Sequence, residues 1–204
     1  MIGRHWFSRF ESFYVQGVKS GALIRHWSPS GLRSLIAFSP APGTLVANEQ
    51  ETWYESDILA WTKFRYRTHG DNSEIEVRRD PLLHQNCVPG YTEILLVERL
   101  LASGEDCAEF SVLFESELGH PLHSATLTKT GRAAAARPSK HLDPKDITIE
   151  LAVDGTTTNR HHARSGVVIS SDWGGARSYL APDFDSACSG LPTQVRQVLQ
   201  EFTP

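Results

Sequence analysis

Histidine is the richest source of acid–base and metal-binding chemistry in the sequence, with nine residues, and its tightest grouping is Asn159-Arg160-His161-His162 with Arg164 close by. On a strand, alternation puts Asn159 and His161 on one face and Arg160 and His162 on the other. The two imidazoles then cannot converge on one metal unless another strand supplies ligands. The default reading of the group is a polar, solvent-facing strand beside a turn. The following strand carries Ser170 and Asp172 on one face and Ser171 and Trp173 on the other, and a meander would bring these near His161 or His162. A carboxylate held against an imidazole orients it and raises its basicity, the minimum for general acid–base work. Asp172 and His161 are therefore the candidate catalytic pair, with the strand register left open.

The second chemical resource is aromatic. The sequence holds five tryptophans, Trp6, Trp27, Trp53, Trp61 and Trp173. Core packing explains each one taken singly, but several on one concave face would form an apolar pocket with a few donors, the usual composition of a small-molecule site. Trp53, Trp61, Tyr66, Phe110 and Trp173 are the candidate ligand-lining residues. Glu93 and Glu98, with Arg99, read as the solvated flank or cap electrostatics of a helix. Cys107 follows Gly104-Glu105-Asp106, acids that raise rather than lower a thiol pKa, and is a poor nucleophile. The motifs GxGxxG, GxxxxGK, GxSxG and HExxH do not occur, so the nucleotide-binding and common hydrolase classes lose support. Gly174-Gly175 reads as a turn or bulge. No cofactor and no metal is expected.

Composition narrows the partners. With 24 acidic and 20 basic residues the formal charge is −4 and no run of like charge forms, so the basic footprint that phosphate backbones require is missing and nucleic acid is not expected as a partner. No segment approaches the ~18 apolar residues of a membrane-spanning helix, and the opening Met1 to Phe7 lacks the apolar core of a secretory signal. The three cysteines are odd in number and widely spaced, which fits reduced thiols better than a disulfide framework. These features predict one cytoplasmic domain over residues 1–204, large enough to bury roughly 70% of its unfolded surface.

The elements that must position these residues are mainly strands. Ile2, Trp6, Phe10, Phe13 and Tyr14 fall at helical spacing and predict an N-terminal helix over 2–15, although Phe13-Tyr14-Val15 could equally begin a first strand. Turn residues at 28–31, 39–43 and 69–72 then separate short β-branched and aromatic runs. Phe64 and Tyr66 alternate with Lys63, Arg65 and Arg67 and face a second run, Glu74 to Arg78, across a hairpin with cross-strand charge pairs. One helix is predicted over Thr92–Ser103, stopped by Gly104. Strands return at Phe110–Phe114 and Leu122–Lys129, and the Ala-rich segment Gly131 to His141 reads as a surface loop. Ile147, Ile149, Leu151 and Val153 alternate into Asp154-Gly155, a favoured hairpin turn. Further strands are expected through Asn159–His162 and Val167–Trp173. Leu191, Val195, Val198, Leu199 and Phe202 predict a short C-terminal helix. The expected fold is mainly β (α+β): a strongly curved antiparallel sheet or half-barrel wrapped on the helix over 92–103, with short N- and C-terminal helices.

Three features taken in order carry a family resemblance. They are Phe13-Tyr14-Val15-Gln16-Gly17-Val18-Lys19-Ser20-Gly21, the mid-chain helix ending in Gly104-Glu105, and the Val153-Asp154-Gly155 hairpin. Together the chain resembles a bacterial family of unknown function whose members fold as an incompletely closed antiparallel β-barrel similar to lipoprotein-carrier domains. The resemblance implies an apolar hollow and transfers no catalytic residue.

The functional expectation is a small hydrophobic molecule held in an aromatic-lined pocket. The leading form is a cofactor-independent cyclase or isomerase of natural-product type that uses proton transfer and substrate shaping. The alternative is a non-catalytic carrier or sensor, and an interaction module with an exposed edge strand is a third. Homodimerisation through such an edge stays open, since no feature specifies it.

Overall fold

The computed structural model describes residues 7–70, 73–115, 117, 119, 121–132 and 142–202. Its strands are β1 (Phe7–Val15), β2 (Val18–Ser28), β3 (Gly31–Phe38), β4 (Val46–Tyr54), β5 (Trp61–Thr68), β6 (Ser73–Arg78), β7 (Cys87–Pro89), β8 (Cys107–Leu113), β9 (Leu122–Arg132), β10 (Ile147–Val153), β11 (Thr156–Arg164), β12 (Val167–Asp172) and β13 (Ala176–Ala181). The helices are α1 (Glu93–Ser103), α2 (Phe184–Cys188) and α3 (Thr193–Phe202). The fold is mainly β with a few short helices, and the chain divides into two compact units, Met1–Asp80 with Ala176–Pro204, and Pro81–Gly175.

In the first unit the strands run β6-β5-β4-β3-β2-β1-β13, each neighbour antiparallel. The expected N-terminal helix is a strand over Phe7–Val15, while residues 2–6, including Trp6, lie outside the described residues. The helical spacing of Phe10, Phe13 and Tyr14 was outweighed by a period of two, because Arg9, Glu11 and Phe13 are the buried positions. Both backbone edges of β1 are also claimed, by β2 and β13. The expected β5–β6 hairpin forms, with Lys63–Glu76 and Arg67–Glu74 ion pairs across it.

One face of this sheet is covered by helices. Asp183 Oδ1 accepts from the Ser186 amide at 2.7 Å and starts α2. The expected C-terminal helix is present as α3. Ala187, Cys188, Val195, Leu199 and Phe202 pack on Ala22, Ile24, Leu35, Ala37 and Ala47, where alanines let the helices approach closely.

The second unit runs β12-β11-β10-β9-β8-β7, antiparallel except for β7 beside β8. The expected turn at Asp154-Gly155 has φ of 48° and 79°, the positive pair that a tight right-twisted hairpin needs. Helix α1 ends at Gly104 with φ of 79°, as its spacing predicts. In the predicted 131–141 loop, residues 133–141 lie outside the described residues, and Gly131 and Arg132 complete β9. Among the described residues no helix is long and apolar enough to cross a membrane.

Candidate functional site

Directly opposite residues in an antiparallel sheet share a face. In the first unit the register therefore lays Arg9, Arg25, Ser34, Gln50 and Tyr66 in one row across β1 to β5, on the face opposite the helices. The adjoining row is Phe7, Trp27, Leu32, Thr52 and Phe64. Trp61 packs on Phe64 with ring centroids 5.8 Å apart, and Trp27 on Tyr54 at 5.4 Å. A band of polar side chains is thus set into an aromatic and aliphatic surface, and its central members are sealed from solvent, with Ser34 and Gln50 each 1% exposed.

One end of the band is a buried ion cluster. Arg9 Nε donates to Glu11 Oε1 at 2.9 Å, Arg25 Nη1 donates to the same oxygen, and Ser178 Oγ donates to Glu11 Oε2. Burial pushes the Glu11 carboxyl upward, but the adjacent Arg25 and Arg9 guanidiniums and the hydrogen bonds outweigh it and hold the group at about 2. The middle of the band is less completely hydrogen-bonded. Gln50 Nε2 donates to Thr52 Oγ1 at 2.6 Å, whereas Gln50 Oε1 and Ser34 Oγ, both buried, have no hydrogen-bond partner among the described residues. Buried polar atoms are nearly always paired, so two orphans on directly opposite residues mark a place where a partner is missing.

The second unit holds a different cluster. His161, 1% exposed, has its Nδ1 2.9 Å from Ser171 Oγ and its Nε2 3.4 Å from Glu93 Oε1. Asn159 Nδ2 donates to the same Glu93 oxygen at 2.7 Å. The first turn of α1 supplies the carboxylate, β11 the imidazole and amide, and β12 the hydroxyl. His161 Nε2 makes no hydrogen bond by geometry. Among the described residues no group of three or more His, Cys, Asp or Glu side chains is placed to hold a metal ion.

Glu115 lies beside the start of α1, 4% exposed, and its Oε1 accepts from the Tyr91 amide at 3.1 Å. Burial pushes its carboxyl up to about 7, Glu93 adding to the effect and the backbone amides opposing it. Because this folded-state pKa lies above the unfolded value, the stabilising difference is complete below the ordinary carboxyl value of 4.5 and is lost as pH rises to about 7. Urea unfolding followed from pH 4.5 to 7.5 should show a decline of about 3 kcal/mol attributable to this group. Glu115→Gln should flatten that slope, and an unchanged slope in the variant would contradict the assignment.

The expected catalytic pair is not brought together. Register pairs His161 with Ser171 and Asp172 with Arg160, so Asp172 lies on the other face, where its Oδ1 accepts from the Gly174 amide at 2.9 Å. Glu93, expected on the solvated flank or in the cap electrostatics of the helix, stands in its first turn and is the carboxylate that faces His161, because that turn lies against β11 and carries it into the interior. The expected ligand-lining set is also divided. Trp61 and Tyr66 lie on the opposite face of the first unit, but Trp53 pairs with Lys63 on the helix-bearing face, where the Lys63 ammonium sits 4.2 Å from its ring. Phe110 is buried in the second unit, opposite Ala125 and on the same face as His161, and Trp173 is half-buried after β12. The sequence reading missed Arg9, Glu11, Arg25, Ser34 and Gln50. The available signal was polar residues at alternate positions of strands whose other positions are also apolar, a pattern with two buried faces.

The chain is similar in structure to a β-barrel-like protein of domain of unknown function DUF1849 from Brucella abortus, with 12% identity, a TM-score of 0.49, and coverage of 85% of this chain and 95% of that one. That protein is bacterial and of unknown function, as is the family that the sequence resembles. No family model matches the chain, and no curated protein matches it in sequence.

Proposed function

We propose that this chain binds a small hydrophobic molecule on the face of β1 to β5 opposite its helices. The observation that carries this reading is the pair of sealed, unpartnered atoms, Ser34 Oγ and Gln50 Oε1, set among Leu32, Phe64, Trp61 and Tyr66. A filled structural core gains nothing from such orphans, since each costs about 1–3 kcal/mol. A ligand site keeps them for the molecule they meet, and few polar groups in an apolar wall is the usual make-up of such a site. Thiols rather than disulfides at Cys87, Cys107 and Cys188 suit a reducing compartment, and we place the protein in the cytoplasm. Native mass spectrometry of protein purified from its own host tests the reading. Retention of a stoichiometric small molecule supports it, and host-purified protein with no adduct that also takes up no apolar probe argues against it.

A catalytic reading, as a cofactor-independent cyclase or isomerase, draws its support from the second unit. His161 Nε2 makes no hydrogen bond and lies 3.4 Å from Glu93 Oε1, while Ser171 fixes the other ring nitrogen. On that reading His161 moves the proton of a substrate held within the second unit, and Glu93 and Ser171 are positioning residues. Incubating the retained molecule with wild type and His161→Gln separates the two forms. Conversion lost only in the variant supports the enzyme, and no conversion by wild type supports a carrier or sensor.

A further inference from the structure

Three side chains at one end of the second unit's sheet form a cluster that the proposed function does not use. His123 on β9 has its Nδ1 2.7 Å from Asp154 Oδ2, in the β10–β11 turn, and its Nε2 2.9 Å from Glu117 Oε2, in the connection that follows β8. We propose that the cluster is a proton-operated clasp: it ties Glu117, and with it Phe114 and Glu115, in place beside the start of α1 in acid and neutral solution, and lets them go as pH rises. The clasp stands whether or not the chain binds the ligand proposed above.

The geometry fixes the protonation state. An ionised carboxylate only accepts hydrogen bonds, so a ring with a carboxylate on each nitrogen must donate from both, and only the imidazolium does so. The bonds to Asp154 and Glu117 hold the His123 pKa above its ordinary 6.5, against a smaller effect of burial. Asp154 is fixed independently of the ring, because its Oδ1 accepts from the Ser124 amide at 3.0 Å and its own amide donates to the Ser124 carbonyl at 2.8 Å. Glu117 is the movable jaw, its amide reaching the Phe114 carbonyl only at 3.3 Å. Loss of the proton leaves a ring lone pair against a carboxylate, and Glu117 is the partner that can swing away. The Phe114 ring, 5.3 Å from the imidazole, loses its seat with it. Glu115, two residues before Glu117, responds in the same sense. Its buried carboxylate accepts from the Tyr91 amide at 3.1 Å and lies 3.0 Å from the point that a Cβ on Gly90 would occupy, so it covers the chain just before α1. From α1 it meets Glu93, which is engaged in turn by Asn159 and His161. Each group binds its proton more tightly in the closed form. Closure is therefore favoured at low pH and weakens as pH rises, above 4.5 for Glu115 and above 6.5 for His123. Release bares the first turn of α1, a titration that biases a local two-state element.

The test is NMR of the full chain between pH 6 and pH 8.5, reading the His123 ring nitrogens and the hydrogen exchange of two amides as protection factors, which divide out the intrinsic rise in exchange rate. At pH 6 both ring nitrogens should carry protons, and the His123 midpoint should lie above 6.5. Asp154→Asn with Glu117→Gln should move that midpoint back toward 6.5, and Asn accepts the φ of 48° at position 154, so the turn is kept. The Tyr91 amide should be less protected than that of Leu127, which is paired on both sides within β9. Its protection should fall about tenfold across this range from Glu115 alone, the factor for a carboxyl whose pKa drops from about 7 to 4.5 on opening. Glu115→Gln should leave a smaller decline, and adding His123→Gln should abolish it. A neutral His123 ring at pH 6, or a midpoint at or below 6.5, overturns the clasp. Tyr91 protection that does not fall with pH, or that equals that of Leu127 throughout so that opening is unfolding of the whole unit, overturns the release. Should the variants not fold, the wild-type midpoint and the two wild-type protection curves decide the matter alone.

Discussion

Glu11→Gln should cost about 3–5 kcal/mol of stability, the range for breaking a buried ion pair by removing one partner. The carboxylate is fully buried and accepts from Arg9, Arg25 and Ser178 at once. Gln would leave two buried guanidiniums without their shared counter-charge. The same group gives the first unit a pH limit. Its folded-state pKa of about 2 lies below the ordinary carboxyl value of 4.5, so its contribution is present above 4.5 and is lost as pH falls toward 2. The expected loss over that window is about 3 kcal/mol. Denaturant midpoints at pH 7 and pH 3 check both statements, with Arg160→Ala as a control. The Arg160–Glu150 pair is largely exposed, and its removal should change stability by less than about 1 kcal/mol. A Glu11→Gln protein as stable as wild type at pH 7 would mean that the cluster contributes no net stability.

Gly21→Ala is expected to destabilise the first unit at or beyond the top of the ~1–3 kcal/mol range for overpacking. A Cβ at Gly21 would lie 2.1 Å from the Ala37 carbonyl oxygen and 2.5 Å from Phe38 Cβ. Those atoms belong to β3, paired residue by residue with β2, so relief requires separating two strands. Glycine here also leaves room for the Phe13 and Phe38 rings, which flank it in register and meet with centroids 5.2 Å apart. Gly175→Ala is the matched control, since an added Cβ there meets nothing within 4 Å and its φ is not in the left-handed region. Its melting temperature should equal or slightly exceed that of wild type. Equal melting temperatures for the two variants would show that β2 and β3 are not packed as described.

The elements that the sequence made legible are those with one dominant local signal. The β10–β11 hairpin rests on strict alternation plus Asp154-Gly155, α1 on its apolar face plus Gly104, and α3 on Val195, Leu199 and Phe202. The segment of β1 carries a helical spacing beside its strand signal at Phe13-Tyr14-Val15 because its apolar side chains occupy both faces of a doubly buried strand, so that Phe10 and Phe13 fall by chance at a helical interval. The sites were less legible than the elements. Whether Asp172 or Ser171 faces His161 depends on a one-residue difference in register, which no local pattern fixes. Glu93 looks like any acidic residue of a helix's first turn until the helix is placed on β11. The row from Arg9 to Tyr66 draws one residue from each of five strands and exists only once they are aligned.

The central claim, that the face of β1 to β5 opposite the helices receives a small apolar molecule, is tested most directly by methyl-resolved NMR during titration with 1-decanol. Leu23 and Leu32 report on that face, while Ile24 and Leu35 report on the face beneath α2 and α3. Saturable shifts at Leu23 and Leu32, with Ile24 and Leu35 unmoved, are predicted. Shifts confined to Ile24 and Leu35, or no saturable shift at any of the four, would contradict the account.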